Sequence, residues 1–352
     1  MLFKQVNIID KINDFCISKK NVAFEDSNSQ IYFNGNLIEI ENSGFFFYED
    51  SFCCYTNENT TEFFDINGKA IYDMDIVFKP TTLYENNFIS SKNIFKNENG
   101  RWVSDLYKFQ FKPFEELEKL NYTIEGSFHR INDFLLQIHT KQVQLNFVKN
   151  GCEIWKFDLQ SIPNNPHDDN YDKAADWEVK KFIGLLEGKL WITLNHHTII
   201  ALDVETGKLI YQIHDIPSFQ CEWLPPAIPL SEATVIDEKN NTLIGFMWEF
   251  YWEINPKNGE ITLLDFTEEF LAQKIRNDLK DFVLTDNHIY FGSHHDVKVA
   301  AFNRQTKQID WFHEFEDDGN GYQSRISKID GNDEKLGVLT QGKVLYIFDK
   351  DS

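Results

Sequence analysis

The 352 residues predict an all-β chain of repeated small sheets, and three observations carry that expectation. The first is the unit at 188–213, Gly-Lys-Leu-Trp-Ile-Thr-Leu-Asn-His-His-Thr-Ile-Ile-Ala-Leu-Asp-Val-Glu-Thr-Gly-Lys-Leu-Ile-Tyr-Gln-Ile. It reads as an apolar strand over 190–194, a turn at Asn195-His196-His197, a strand over 198–202, a turn over 203–207, and a strand over 208–213 that alternates apolar and polar. Gly207 supplies the positive φ that closes the second turn, and Asp203 and Thr206 can bond the turn's own backbone. The second observation is the return of this turn near residues 35, 68, 112, 151, 207, 259, 307 and 350. The third is the absence of any βαβ alternation between the copies. A period of roughly 40–50 residues of short strands is the signature of a β-propeller with one four-stranded blade per repeat. Eight turns give eight blades, or seven if the short first unit over 14–41 merely extends its neighbour.

In chain order, residues 2–9 are strand-like, and they can supply the outer strand that the last copy lacks, since that copy ends at Asp349-Lys350-Asp351-Ser352. Such pairing closes the ring and removes an exposed edge. Tyr32-Phe33-Asn34-Gly35-Asn36-Leu37 carries an Asn-Gly hairpin signal. Phe64-Asp65-Ile66-Asn67-Gly68-Lys69, followed by Tyr72, is a copy one residue shorter, and a weak copy surrounds Phe111-Lys112-Pro113. Gly151 precedes Trp155 as Gly207 precedes Tyr211, and Ile254-Asn255-Pro256-Lys257-Asn258-Gly259-Glu260 leads to Leu263. Ala301-Phe302-Asn303-Arg304-Gln305-Thr306-Lys307 ends at Trp311, and Tyr346-Ile347-Phe348 is the last copy. Four longer interruptions, at 161–178, 217–229, 267–281 and 316–321, join one blade's outer strand to the next blade's inner strand. The third of these predicts a helix over 267–281, with Leu271, Ile275 and Leu279 on one face and Thr267 as its cap. Long loops on a rigid scaffold are the usual carriers of function.

The chain is 42% hydrophobic and carries 32 Phe, enough for a large core of packed sheet faces. Its 34 basic and 56 acidic residues give a net charge of −22, which repels nucleic acid and anionic membranes and attracts basic partners. No run of apolar residues reaches membrane-spanning length, and the N-terminus lacks the pattern of a signal peptide. Five cysteines without regular spacing fit a reducing cytoplasm.

The pattern Ala-x-Asp-x-x-Thr-Gly-Lys with an aromatic four residues after the Gly resembles the repeat of the quinoprotein-like (PQQ-dehydrogenase-like) β-propellers, related in architecture to the WD40-like ones. Ala201, Asp203, Thr206, Gly207 and Tyr211 match it fully. Ala301, Asn303, Thr306 and Trp311 match with Lys307 in place of Gly, while Gly151 and Trp155 keep its core. The resemblance implies that the aromatic and the turn dock one blade on the next. It implies little about activity, because many members carry no quinone.

Cys53-Cys54 invites comparison with the adjacent cysteines beneath the cofactor of the quinone enzymes in that family. Here the pair lies inside a strand-like run, Ser51-Phe52-Cys53-Cys54-Tyr55, which sends the two thiols to opposite faces. The expectation is therefore that the chain has no cofactor and no metal. His139, His196-His197 and His294-His295 fall at the second-to-third-strand turns of their blades, and Trp248, Glu249 and Tyr251 occupy that place in the blade between the last two. Turns on blades two apart are too distant to share a metal unless their side chains converge on the central channel. His167-Asp168-Asp169-Asn170-Tyr171-Asp172 and Asp317-Asp318-Gly319-Asn320-Gly321 lack the alternating spacing of a calcium loop. There is no Gly-x-Ser-x-Gly elbow, Walker loop or His-Glu-x-x-His.

These features predict a cytoplasmic, non-catalytic β-propeller over residues 1–352, monomeric when free, that binds a basic protein through an acidic, aromatic and histidine-rich face. The residues expected there are His139, Asp168, Asp169, Asp172, Trp177, His196, His197, Trp223, Trp248, Glu249, Tyr251, His294, His295, Asp317 and Asp318. Such a surface would suit an antitoxin or immunity protein that occludes a cationic toxin. The competing expectation is a quinone-dependent or sugar-directed propeller enzyme with its site at the channel mouth.

Overall fold

Strands account for nearly all regular structure, and every sheet is antiparallel. The computed structural model describes residues 2–40, 42–49, 51–56, 60–139, 142–163, 177–216, 218–295, 297–316 and 323–351. Seven four-stranded sheets and one three-stranded sheet make an eight-bladed β-propeller. The short first unit is a blade of its own, built from Ile12–Ser18, Asn21–Asp26, Ile31–Phe33 and Asn36–Ile38, so the count is eight and not seven. The chain divides into two compact units, one of residues 1–75, 246–252 and 264–352, the other of residues 76–245 and 253–263.

The first unit holds the first, second, seventh and eighth sheets. The eighth contains Ile326–Gly331, Lys335–Thr340 and Leu345–Lys350, and its outer strand is Phe3–Ile9, paired from Phe3 opposite Lys350 to Ile9 opposite Leu345. The chain's N-terminal strand therefore completes the sheet of its C-terminal strands, as the repeat pattern predicts. Phe3 is 2% exposed and seats its ring 5.4 Å from Tyr290 and 5.6 Å from Trp311. Ile12, Phe15 and Ile17 pack on Leu339, Leu345 and Ile347, which joins the first sheet to the eighth. Phe33, Phe52, Cys54 and Phe64 form the core between the first and second.

The second unit holds the third, fourth and fifth sheets, and the sixth sheet, over residues 234–265, contributes residues to both units. Here the repeat motif shows its physical purpose. Asp203 Oδ1 accepts hydrogen bonds from Thr206 N at 2.8 Å and Thr206 Oγ1 at 2.7 Å, and Gly207 N donates to Asp203 O at 2.8 Å. Trp155, from the preceding sheet, lies flat on this turn and donates through Nε1 to Val204 O at 2.9 Å. A Cβ on Gly207, whose φ is +68°, would stand 2.5 Å from Trp155 Cδ2. Tyr122 lies on the Gly151 turn in the same way and bonds Val148 O at 2.8 Å. Tyr211 lies on the Gly259 turn and bonds Lys257 O at 2.5 Å. The aromatic of one repeat thus needs a side-chain-free turn in the next, as the family resemblance implies.

The third sheet departs from the pattern. Only Asn87–Lys96, Trp102–Gln110 and Glu115–Ile124 pair in it. Residues 76–84 stand where a first strand is expected, but Pro80 has no N–H for a ladder and begins the 3-10 turn Pro80–Thr82. One bridge, Tyr84 with Asn87, remains. The Thr82 hydroxyl, 2.6 Å from Ile89 O, and Ser90 Oγ, which donates to Val77 O at 2.8 Å, take over from the missing backbone ladder.

The helix expected over 267–281 is shorter, Thr267–Gln273. Lys274 turns into the left-handed region at φ +50° and ends it. Its N-cap is Phe266 and not Thr267, and Asp265 Oδ1 accepts from Thr267 N at 2.8 Å. Leu271 is 68% exposed whereas Ile275 is 3% exposed, so the two share no face.

Candidate binding site

The strands Thr242–Met247 and Phe250–Ile254 leave a two-residue turn, Trp248-Glu249, which belongs to the first unit. Trp248 adopts φ +54° there. The segment after the short helix runs alongside: Trp248 N donates to Asn277 O at 2.7 Å, and Asn277 N donates to Trp248 O at 3.1 Å. Asn277 is fully buried and donates through Nδ2 to Phe246 O at 2.8 Å, which fixes the segment to the strand end. This places the Arg276 guanidinium 5.8 Å from the Trp248 ring centroid, a cation–π distance. Arg276 Nε lies 3.2 Å from Asp278 Oδ1 and 3.5 Å from Glu249 Oε1. Asp278 Oδ2 accepts from His294 N at 3.0 Å and His295 N at 3.3 Å, so one carboxylate ties the arginine to the histidine turn.

Trp248, Glu249, Arg276, Asp278, His294 and His295 therefore meet in this unit. Two carboxylates surround one guanidinium, which leaves the patch acidic when the imidazoles are neutral. His295 is exposed and Trp248 partly so. Arg276 and Asp278 escape a sequence reading that puts 267–281 in a helix.

Glu249 is turned inward, 8% exposed, and its Oε2 has no hydrogen-bond partner among the described residues. Burial raises its carboxyl pKa above the ordinary value, Arg276 opposes the rise, and Asp278 and Asp265 add to it. A folded-state pKa above the unfolded one means that Glu249 stabilises the fold most below about 4.5. That contribution is lost as pH rises through the folded pKa. Glu249→Gln is expected to abolish this dependence. Denaturation of both proteins across a range from about pH 4 to about pH 7.5 should show the difference moving steadily in favour of the glutamine variant with rising pH, and a flat difference would refute it.

Other residues expected on the binding face have structural roles. Tyr251 is 1% exposed in its strand, with its ring 5.7 Å from Phe302 and the Lys307 ammonium 4.1 Å from its centroid. The strand buries both faces, so Tyr251 belongs to the core and not to a surface. Trp177, in the second unit, is 3% exposed, packs with Ile162 and Leu194, and donates through Nε1 to Ile162 O at 3.2 Å. It too is a core residue.

His196, His197, His294 and His295 sit at the predicted turns, and two of them act as staples. His197 Nδ1 donates to Ile228 O at 2.8 Å and lies 3.1 Å from Pro229 O. His294 Nδ1 donates to Ile326 O at 3.0 Å. Each thus holds the chain entering the next sheet. His196 accepts at Nε2 from Asn195 Nδ2 at 3.0 Å and meets Trp177 edge-on at 5.3 Å. His139 ends the strand Phe134–His139, and burial lowers its pKa. Among the described residues no three His, Cys, Asp or Glu side chains are grouped to hold a metal ion. Trp223 is 53% exposed on the 217–229 loop. Asp168, Asp169, Asp172, Asp317 and Asp318 lie outside the described residues.

Cys53 and Cys54 do not fit a quinone site. Both are fully buried in the strand Ser51–Thr56, with Cys54 among Phe33, Phe52 and Phe64. Burial pushes the Cys54 thiol well above its ordinary pKa, and the pair offers no surface on which a flat cofactor could rest.

No protein-family profile matches the chain. No curated protein matches it either. Solved structures do. Sqt1 of Saccharomyces cerevisiae is 10% identical with a TM-score of 0.56, covering 100% of both chains. BamB from Moraxella catarrhalis is 10% identical with a TM-score of 0.51, covering 99% of this chain and 100% of that one. The computationally designed Ika8 protein is 11% identical with a TM-score of 0.50, covering 97% and 96%. At these identities the likeness is one of fold alone, that of a β-propeller.

Proposed function

We propose that this chain is a non-catalytic propeller that binds a basic protein through the patch of Trp248, Arg276, Asp278 and His295. The observation that carries the reading is Asp278, whose two oxygens hold Arg276 on one side and the His294-His295 turn on the other. A rigid aromatic beside a pre-arranged carboxylate is what an arginine or lysine of a partner requires. The net charge of −22 adds long-range attraction for a basic surface. A cationic toxin is one partner of this chemistry. Five cysteines, none in a disulfide, support work in reducing surroundings such as the cytoplasm.

The test is capture of partners from the native host on the immobilised protein, with elution in rising salt. A stoichiometric basic protein released by salt is expected. Trp248→Ala and His295→Ala should each weaken its binding, the tryptophan by about 30-fold, as for an interface hot spot of about 2 kcal/mol. Both variants binding as tightly as the parent would remove the patch from the interface.

A further inference from the structure

In the fourth and fifth sheets a first strand flanks the second: Ser127–Ile131 pairs with Phe134–His139, and Val179–Leu186 with Lys189–Leu194. The third sheet has no such strand among the described residues. Its edge strand, Asn87–Lys96, is ten residues long where those two second strands are six each. That edge is covered only at its start. Asn87 N donates to Tyr84 O at 3.1 Å and Asn87 O accepts from Tyr84 N at 2.9 Å. Thr82 Oγ1 then accepts from Ile89 N at 3.3 Å and donates to Ile89 O at 2.6 Å. Backbone groups along a strand point alternately to its two sides, so Ser91 comes next on the same edge.

Asn93, at φ +54°, is the extra residue of a bulge between Lys92 and Ile94. Beyond it Asn97 N turns the other way, to Arg101 O at 2.8 Å. Counted back from Asn97, Lys96 and Ile94 each present N–H and C=O to the open edge, where none of the described residues bonds them. The side chains there are apolar and exposed, Ile94 by 69%, Phe95 by 40% and Trp102 by 61%. Lys96 lies opposite Trp102 and Ile94 opposite Ser104, so Ile94, Lys96 and Trp102 share one face. The Lys96 ammonium stands 5.1 Å from the Trp102 ring centroid, with no carboxylate bound to it among the described residues. An unused ladder, an apolar wall and a cation thus adjoin one another within the second unit.

We propose that the edge at Ile94 and Lys96 docks an extended segment of a protein partner, which adds antiparallel as the strand that the third sheet lacks. Backbone bonds to Ile94 and Lys96 hold the segment, an apolar side chain of it lies on Ile94 and Trp102, and an acidic one meets Lys96. This surface does not rest on the Trp248 patch of the first unit.

The probe is a fluorescent synthetic peptide, Thr-Val-Thr-Val-Glu-Val-Thr, beside the same peptide N-methylated at alternate residues. The plain peptide should slow hydrogen exchange at the Ile94 and Lys96 amides, read by NMR. The methylated one, with the same side chains and half the donors, should bind more weakly by about tenfold or more in fluorescence anisotropy. Lys96→Pro removes an outward N–H and leaves the pairing with Trp102–Gln110 in place, while Trp102→Ala removes the wall. Each should weaken the plain peptide by about tenfold or more. Unchanged exchange at Ile94 and Lys96, equal binding of the two peptides, or parental affinity in both variants would overturn the site. A concentration-dependent dimer abolished by Lys96→Pro would also overturn it, since a second copy of the chain would then be the occupant.

Discussion

Gly207→Ala is expected to destabilise the second unit by about 2–5 kcal/mol, far more than an ordinary glycine replacement. Two terms add. A non-glycine residue at φ +68° costs about 1–2 kcal/mol. The new methyl would also stand 2.5 Å from Trp155 Cδ2, so the indole must lift off the turn, an overpacking cost of typically about 1–3 kcal/mol. Gly188 supplies the internal control, with the same φ of +68° and nothing within 4 Å of an added Cβ. Gly188→Ala should show the backbone term alone. The two urea midpoints therefore separate backbone strain from blade docking. Equal losses would mean that the packing of Trp155 on the turn contributes nothing.

Phe3→Ala should cost about 3–5 kcal/mol, the range for removing a buried phenylalanine ring. Phe3 is 2% exposed and touches Tyr290 and Trp311, in a cluster that also holds Leu336, Val338 and Phe348. Its strand is also the outer strand of the eighth sheet. Weakening it frees the edge of Leu345–Lys350 to pair with other molecules, so aggregation should accompany the lower urea midpoint. Size-exclusion chromatography after mild warming tests the second part. Val6→Ala, on the same strand at 51% exposure, should leave both readouts near the parent values.

The repeat was legible because its turn chemistry is local. Asp203, Thr206 and Gly207 form their bonds within five residues, and Asn303 repeats them by accepting from Gln305 N at 2.8 Å and Thr306 N at 3.0 Å. Lys307 keeps the positive φ without glycine, at +59°. The third sheet was less legible, since its first strand is replaced by bonds from Thr82 and Ser90 that no periodicity announces. The site was half legible. The Trp248-Glu249 turn follows from strand spacing, but Arg276 and Asp278 reach it only because Lys274 stops the helix. Tyr251 and Trp177 misled for other reasons: the turn is only Trp248-Glu249, so Tyr251 falls inside the strand Phe250–Ile254 where Phe250, Tyr251 and Trp252 are all buried, and Trp177 closes its polar interruption by packing on Ile162 and Leu194.

The pairing of Phe3–Ile9 with Leu345–Lys350 also sets an order of events during synthesis. The ribosome makes the outer strand of the eighth sheet first and its partner about 335 residues later. At about 5–20 residues per second, that wait is roughly 20–70 s. Until residue 290 is made Phe3 has neither Tyr290 nor Trp311 to cover it, and the strand cannot take its native place until the ribosome has passed residue 345. A nascent-chain protease assay should therefore find the first strand cleavable until the C-terminal strand has emerged.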